Sequence, residues 1–292
     1  MFFQQLVNGI TIGSTYALVA IGYSLVFGVL QLINFANGSL YMLGGYLTLV
    51  MYLSLHGNIG AALLISLVVT GFAGFLVDFV GLRKLRADNA PRMAGLISTL
   101  GISTVIDNAI QIWFGTETKA FPNFLDFGKF TVGKTVISWT QIIILTVSLL
   151  LMIVFSLIVY KTKAGKSMRA VAQNVNAARL MGIDVKLVIS ATFIVSAILA
   201  CISGSLVGSY YQTIDTMMGF SVGMKTFAAA VLGGVGSLPG AMLGGLIVGV
   251  VETIGASYIS SGYRDAIAFL ILILVLLIKP SGILGKQKIE KM

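Results

Sequence analysis

Seven predominantly apolar runs set the pattern of this chain: 6–30, 36–55, 60–82, 94–114, 139–160, 187–211 and 263–279. A helix needs about 20 residues, at 1.5 Å each, to cross roughly 30 Å of hydrocarbon, so each run reads as a membrane-spanning helix. A further apolar stretch over 220–256 is glycine-rich and too long for one straight span. It contains Gly233-Gly234-Val235-Gly236-Ser237-Leu238-Pro239-Gly240. Proline lacks the amide that continues a helix, and glycine weakens one. This stretch therefore reads as a shorter segment, a break and a second segment, with room for a re-entrant turn. The pattern predicts an all-α integral membrane protein with a single transmembrane domain over 1–292. It has about eight transmembrane helices, at least one of them broken or re-entrant.

Composition agrees, with 57% hydrophobic and 10% charged residues and a mean hydropathy of +0.99. Soluble domains carry about 25% charged residues, so most of this surface must face lipid. The net charge of +9 does not point to nucleic acid, because the cations cluster between apolar runs. Arg83, Lys84, Arg86 and Arg92 lie in 83–92. Lys161, Lys163, Lys166, Arg169, Arg179 and Lys186 lie in 161–186, and Lys279, Lys286, Lys288 and Lys291 lie in the tail. Together these are 14 of the 19 basic residues. Placed on one side, they mark it as cytoplasmic by the positive-inside rule, with the N-terminus outside and the C-terminus inside. The 115–138 loop then falls outside, where Glu117 and Asp126 offset Lys119, Lys129 and Lys134. The N-terminus lacks the positive region of a cleaved signal peptide, so the first run is expected to be retained.

Within the spans, Gly9/Gly13, Gly204/Gly208, Gly240/Gly244 and Gly245/Gly249 each place two glycines on one helix face, the arrangement that lets helices pack closely. Cys201 is alone and His56 is the sole histidine, so no zinc cluster or Ser/His/Asp constellation is expected, and no cofactor, metal or enzymatic activity. Gly165-Lys166-Ser167 has the ending of a phosphate-binding loop. Tyr160, however, stands where the first glycine belongs, and a membrane run precedes it rather than a strand.

The 161–186 loop is basic and alanine-rich, and a helix is expected over 166–181 with Ala170, Val171, Asn174, Ala178 and Met181 on or near one face. It reads equally as a docking helix or as a connector held by positive-inside charge. Here the chain resembles a known family. Ala177-Ala178-Arg179-Leu180-Met181-Gly182-Ile183-Asp184-Val185 is similar to the EAA-type loop of ABC-importer permeases, in the version carried by branched-chain amino acid permeases. Ile33-Asn34-Phe35-Ala36-Asn37-Gly38 through Tyr41–Tyr46, Gly165–Ala172 and Leu232–Ala241 match the same family in the same order. The resemblance runs nearly end to end and fits the shorter, H-type partner of the permease pair. Family members commonly carry histidine and then an acidic residue around Asn37 and Ser39, glutamate at Asn176 and proline at Val175. The departures at Asn37 and Ser39 leave related amides or urea beside amino acids as solutes.

The resemblance implies a permease subunit forming half of a pore in the bacterial plasma (inner) membrane and carrying branched-chain or related amino acids into the cell. Its partners would be the lipid bilayer, a second permease subunit (an M-type partner or a second copy), two cytoplasmic ABC ATPases and an extracytoplasmic substrate-binding protein. The 161–186 loop would couple to the ATPase through Arg169, Ala170, Asn174, Ala177, Ala178, Arg179, Met181 and Gly182. Gly182 would give a sharp helix exit, and Arg169 and Arg179 would pair with acidic residues at up to about 1 kcal/mol each. Candidates for the translocation path are polar or irregular positions that a bilayer penalises: Asn34, Asn37, Asp107, Gly236 and Glu252. The plainer readings are a tight cytoplasmic turn for Asn34–Ser39 and interfacial placement for the two acids. The rival functions are an ion-coupled secondary transporter, with Asp107 or Glu252 as its coupling carboxylate, and a passive channel.

Overall fold

The apolar runs fold as helices in a computed structural model that describes residues 2–88, 90–124, 128–132, 135–279 and 281–285. In chain order the helices are α1 Phe2–Leu30, α2 Ala36–Ser54, α3 Ile59–Leu76, α4 Arg83–Ala87, α5 Arg92–Phe114, α6 Trp139–Lys161, α7 Lys163–Gln173, α8 Val175–Leu180, α9 Val185–Tyr211, α10 Met218–Gly233, α11 Leu238–Tyr258 and α12 Arg264–Ile278. A π-helical stretch, Val77–Leu82, joins α3 to α4 without a break. Six of these helical segments are long and apolar enough to cross a membrane: Phe2–Leu30, Ile59–Ala87, Met93–Phe114, Trp139–Lys161, Val185–Tyr211 and Leu238–Tyr258. The all-α class is as expected, and short strands occur in the connections. β1 (Lys119–Ala120) pairs with β4 (Thr213–Ile214), and β2 (Lys129–Val132) pairs with β3 (Thr135–Ser138), both antiparallel.

The first helix is the hub. It is buried from Gly9 to Val26 apart from Ile10 and packs on α6, α9, α10 and α11. Glycine sets its closest neighbour. A Cβ added to Gly9 would lie 2.7 Å from the Val250 Cα, and one on Gly13 would lie 2.9 Å from the Leu246 Cα. In return, Gly245 and Gly249 press on the backbone of Ala17 and Gly13. Without a hydrophobic force between lipid-solvated helices, this dispersion contact is what holds them. Gly249→Leu should therefore lower the midpoint of thermal unfolding in detergent by several degrees, the effect of an overpacked core at about 1–3 kcal/mol. An unchanged midpoint would show that α1 and α11 do not meet here.

The 220–256 stretch is, as expected, a helix, a break and a second helix. Gly234 and Gly236 take positive φ values of +107° and +86°, which only glycine adopts freely. The Ser237 hydroxyl then caps α11 by accepting the Gly240 amide at 3.3 Å. Pro239 falls in the first turn of α11, where its missing N–H costs nothing, so it starts a helix more than it ends one. Residues beyond α12 return to this break, with the Ile283 amide donating to Leu232 at 2.9 Å and Leu284 to Gly233 at 3.0 Å.

Two ends of the bundle can be told apart. At one, Gln4 exchanges hydrogen bonds with Val136 of the β2–β3 hairpin. At the other lie the end of α1, the glycine break, α4, α7 and α8; a shared cavity ties α4 to α8, and Gly28 approaches Gly236. Among the described residues six helical segments are long enough to run between these ends, while α2 and the shorter α10 start beside each other inside the bundle, with Gly38 against Gly219 and Gly223. An even count returns a chain to the end from which it started, so eight full spans cannot place the two termini on opposite sides; an odd count would. Lys279 lies at the second end; Lys286, Lys288 and Lys291, and with them Asp126 and Lys134 of the hairpin loop, lie outside the described residues.

Candidate translocation path and coupling surface

The 161–186 segment is built from helix caps. The Thr162 hydroxyl accepts the Gly165 amide at 3.2 Å and starts α7. Gly165 lies against the Ile158 and Val159 carbonyls of α6, where any Cβ would collide. The glycine of Gly165-Lys166-Ser167 therefore lets one backbone cross beneath another. The single helix expected over 166–181 is corrected to two. Asn174 takes an extended conformation, φ −157° and ψ 110°, and its carboxamide oxygen accepts the amides of Asn176 and Ala177, each at 3.0 Å. Asparagine caps a new helix better than it continues an old one.

At the far end of α8 the backbone makes a Schellman turn. The Ile183 amide donates to Ala178 at 3.1 Å and the Gly182 amide to Arg179 at 3.0 Å, with Gly182 at φ +80°. The sharp exit expected at Gly182 is present. The expected common face is not, because the Asn174 break rotates α8. Val171 and Ala178 turn into the bundle at 1% and 3% exposure, Ala170 is half-buried, and Asn174 and Met181 are exposed. The surface α8 offers is Ala177, Arg179, Leu180 and Met181, the last two 89% and 82% exposed. Arg169 does not reach it. Its guanidinium donates to the Val159 and Tyr160 carbonyls at 2.7 and 3.1 Å and lies over the Tyr160 ring, capping α6.

The path candidates divide into three places. After α1 the chain folds back, so that α2 begins well inside the bundle. Asn34 accepts the Ala36 amide at 3.2 Å. Asn37 donates to the Val19 carbonyl at 3.5 Å and accepts from the Ser196 hydroxyl at 2.8 Å. Val19 lies 11 residues short of the end of α1, roughly 16 Å at 1.5 Å per residue. Both asparagines are fully buried; Asn34 holds the first turn of α2 and Asn37 ties it to α1 and α9, so the plain cytoplasmic turn gives way to a buried helix start. Next to it, Ser39 shares a 2.7 Å hydrogen bond with Ser103 of α5, and Asp107 stands one turn beyond Ser103. Gly236 is remote from both, at the end of α1.

Glu252 belongs to a separate charge network. Its carboxylate meets Lys225 at 3.0 Å, Arg264 at 3.5 Å and the Tyr16 hydroxyl at 3.4 Å, while Lys225 also meets Asp265 at 2.6 Å. Glu252 is thus a member of a buried charge network joining α1, α10, α11 and α12 near the end of α11 and the start of α12.

Three features lay unread in the sequence. Lys225 was legible as a lone cation in an apolar stretch, a residue that needs a partner. Asp78, in the third apolar run, is fully buried on the π-helical stretch, pairs with Arg86 at 2.5 Å and accepts from the Ser190 hydroxyl at 2.6 Å. π-Bulges of this kind cluster at functional sites. The third is a stripe on α5. Thr104, Asp107, Asn108 and Gln111 follow i, i+3, i+4, i+7 spacing on one face of a helix whose surface is largely open. Among the described residues Asp107 has no salt-bridge partner, and its Oδ1 is buried without a hydrogen bond. Such a face is unsuited to lipid.

The family described as branched-chain amino acid transport system / permease component matches residues 5–276. The chain is 41% identical to the high-affinity branched-chain amino acid transport system permease protein BraD of Pseudomonas aeruginosa, over 99% of this chain and 98% of that protein. It is 38% identical to the corresponding LivH protein of Escherichia coli, over 99% and 97%. It is 32% identical to the probable branched-chain amino acid transport permease protein LivH of Methanocaldococcus jannaschii, over 92% and 88%. No solved structure matches it. With six helices able to cross a membrane and a family match over nearly its whole length, this multi-pass membrane chain belongs to the permease-component family of branched-chain amino acid transport systems.

Proposed function

We propose that this chain is one half of the pore of an ABC importer for branched-chain or closely related amino acids in a bacterial inner membrane. It does no chemistry itself. Two ATPases on separate subunits drive it, a second permease subunit completes the pore, and an extracytoplasmic binding protein delivers the solute. The observation that carries this reading is the doubly capped α8, which presents Ala177, Leu180 and Met181 outward as a small apolar surface. Neither a stand-alone transporter nor a channel needs such a surface, and apolar residues this exposed mark a partner's seat. The basic end is cytoplasmic by the positive-inside rule, which puts the N-terminus outside and gives an odd number of crossing segments.

The polar face of α5 is the path, facing the second permease half across the pore. Asp107 is its one charged group and is placed to hold the ammonium of a zwitterionic amino acid, with Thr104 and Asn108 beside it. The coupling role then rests on Ala177, Arg179, Met181 and Gly182 outward, while Ala170, Asn174 and Ala178 shape the loop and Arg169 anchors it to α6. For the rival, an ion-coupled transporter, Glu252 is a poor coupling carboxylate because Lys225 and Arg264 already neutralise it. Reconstitution in liposomes with the ATPases, the second permease and the binding protein tests the reading. Uptake should require ATP and survive a protonophore, and Asp107→Asn should reduce it at least tenfold without changing thermal unfolding. Uptake by this subunit alone, abolished by collapsing an ion gradient, would overturn it.

A further inference from the structure

A cavity of about 530 Å³ opens at the basic end between the end of α1, α4, the start of α5, α8 and the start of α9. Its polar lining is almost entirely cationic: Arg83, Arg86, Arg179 and Lys186, with Asn176 as the uncharged exception and no acidic residue. Its walls are apolar, with Val29, Leu30 and Leu32 on one side and Leu82 and Ile189 on another. Arg86 is committed to Asp78. Among the described residues Arg83, Arg179 and Lys186 have no carboxylate within salt-bridge reach.

We infer that this cavity binds the phosphate-bearing headgroup of an anionic phospholipid. Three cations brought from α4, α8 and α9 to one concave site repel one another, and that cost is relieved by an anion between them. Positive-inside orientation requires cations on this face but does not require them to converge on a pocket. The pocket lies where α1 ends and α4 leaves the bundle, the depth of the cytoplasmic headgroups on the proposed topology. Basic pockets between membrane helices on that side are suited to anionic headgroups. The leucine-lined walls add what a free anion would not use, a surface for the start of an acyl chain. Because Val175, Asn176 and Arg179 of the lining belong to α8, an occupied site also braces the proposed coupling helix against α1 and α4.

The test is lipid binding to the purified full-length chain, read by native mass spectrometry and by thermal shift, so it is independent of transport. Dioleoyl phosphatidylglycerol, dioleoyl phosphatidylcholine and inorganic phosphate are titrated separately. The expected result is one phosphatidylglycerol per chain, bound at least tenfold more tightly than phosphatidylcholine, with millimolar phosphate failing to displace it. R83Q/R179Q/K186Q should lose that preference at least tenfold, while K161Q/K163Q/K166Q, on the same face but outside the cavity, should keep it. Leu85→Trp, which fills the cavity and leaves its charges, should also block binding and covers the case in which the triple variant fails to fold. Equal loss in both triple variants would mean diffuse surface charge. Displacement by phosphate would mean a small-anion site, and retention in Leu85→Trp would place the lipid elsewhere. Each of these outcomes overturns the proposal.

Discussion

Ala177→Trp is expected to cut ATP-driven uptake at least tenfold while leaving the melting curve of the permease unchanged. The two halves of that result separate docking from folding. Ala177 is exposed on α8, one position from Ala178, which is buried against the bundle. A large side chain at 177 meets only a partner, whereas one at 178 must displace the protein's own core. Ala178→Trp is therefore expected to lower the unfolding midpoint as well as uptake, since overpacking costs about 1–3 kcal/mol. The outward surface is apolar and closely framed, with the Asn174 cap on one side and the Gly182 turn on the other. In such a contact fit outweighs ion pairs, because an exposed Arg179–carboxylate pair contributes at most about 1 kcal/mol. ATP hydrolysis by the assembled complex should persist in Ala177→Trp but no longer respond to the loaded binding protein. Wild-type uptake in this variant would remove α8 from the coupling surface.

Lys225→Met is expected to be among the most destabilising single changes in the bundle. The Lys225 and Glu252 side chains are 6% and 2% exposed, so removing the lysine leaves a buried carboxylate with the Tyr16 hydroxyl at 3.4 Å and Arg264 at 3.5 Å. Breaking a buried pair from one side costs about 3–5 kcal/mol, whereas replacing both partners by apolar groups is often close to neutral. The double variant Lys225→Met/Glu252→Met should therefore melt higher than Lys225→Met alone, in a cycle read by thermal unfolding in lipid nanodiscs. Additive losses would mean that the two charges do not interact. The pair bridges α10 and α11 while Asp265 and Arg264 bring in α12, so its loss should also loosen the ends of those helices nearest the β2–β3 hairpin.

Much of the fold was legible from local rules. The spans are long apolar runs, the glycine break lies where Pro239 and its glycines predict it, and the family resemblance rests on contiguous residues. What was not legible depends on neighbours distant in sequence or on local competition. Asn174 could continue a helix by propensity or start one by capping, and the backbone took the second. Arg169 looked free for a partner because nothing near it in sequence shows that the α6 carbonyls end within its reach. The division of the path candidates came from packing: Asn37 is held by Val19 and Ser196, Glu252 by a lysine 27 residues away, and Asp107, among the described residues, by no cation.

By itself, the sequence determined that this is a multi-pass membrane helix bundle of its family, with a basic face and a glycine–proline break. Those properties follow from the transfer free energy of apolar runs and from hydrogen bonds between residues a few positions apart. Only the tertiary structure decided which polar groups are spent on holding the bundle together and which remain open. That choice is made by close approaches such as α1 against α11, and a close approach is a property of two surfaces that neither segment carries alone.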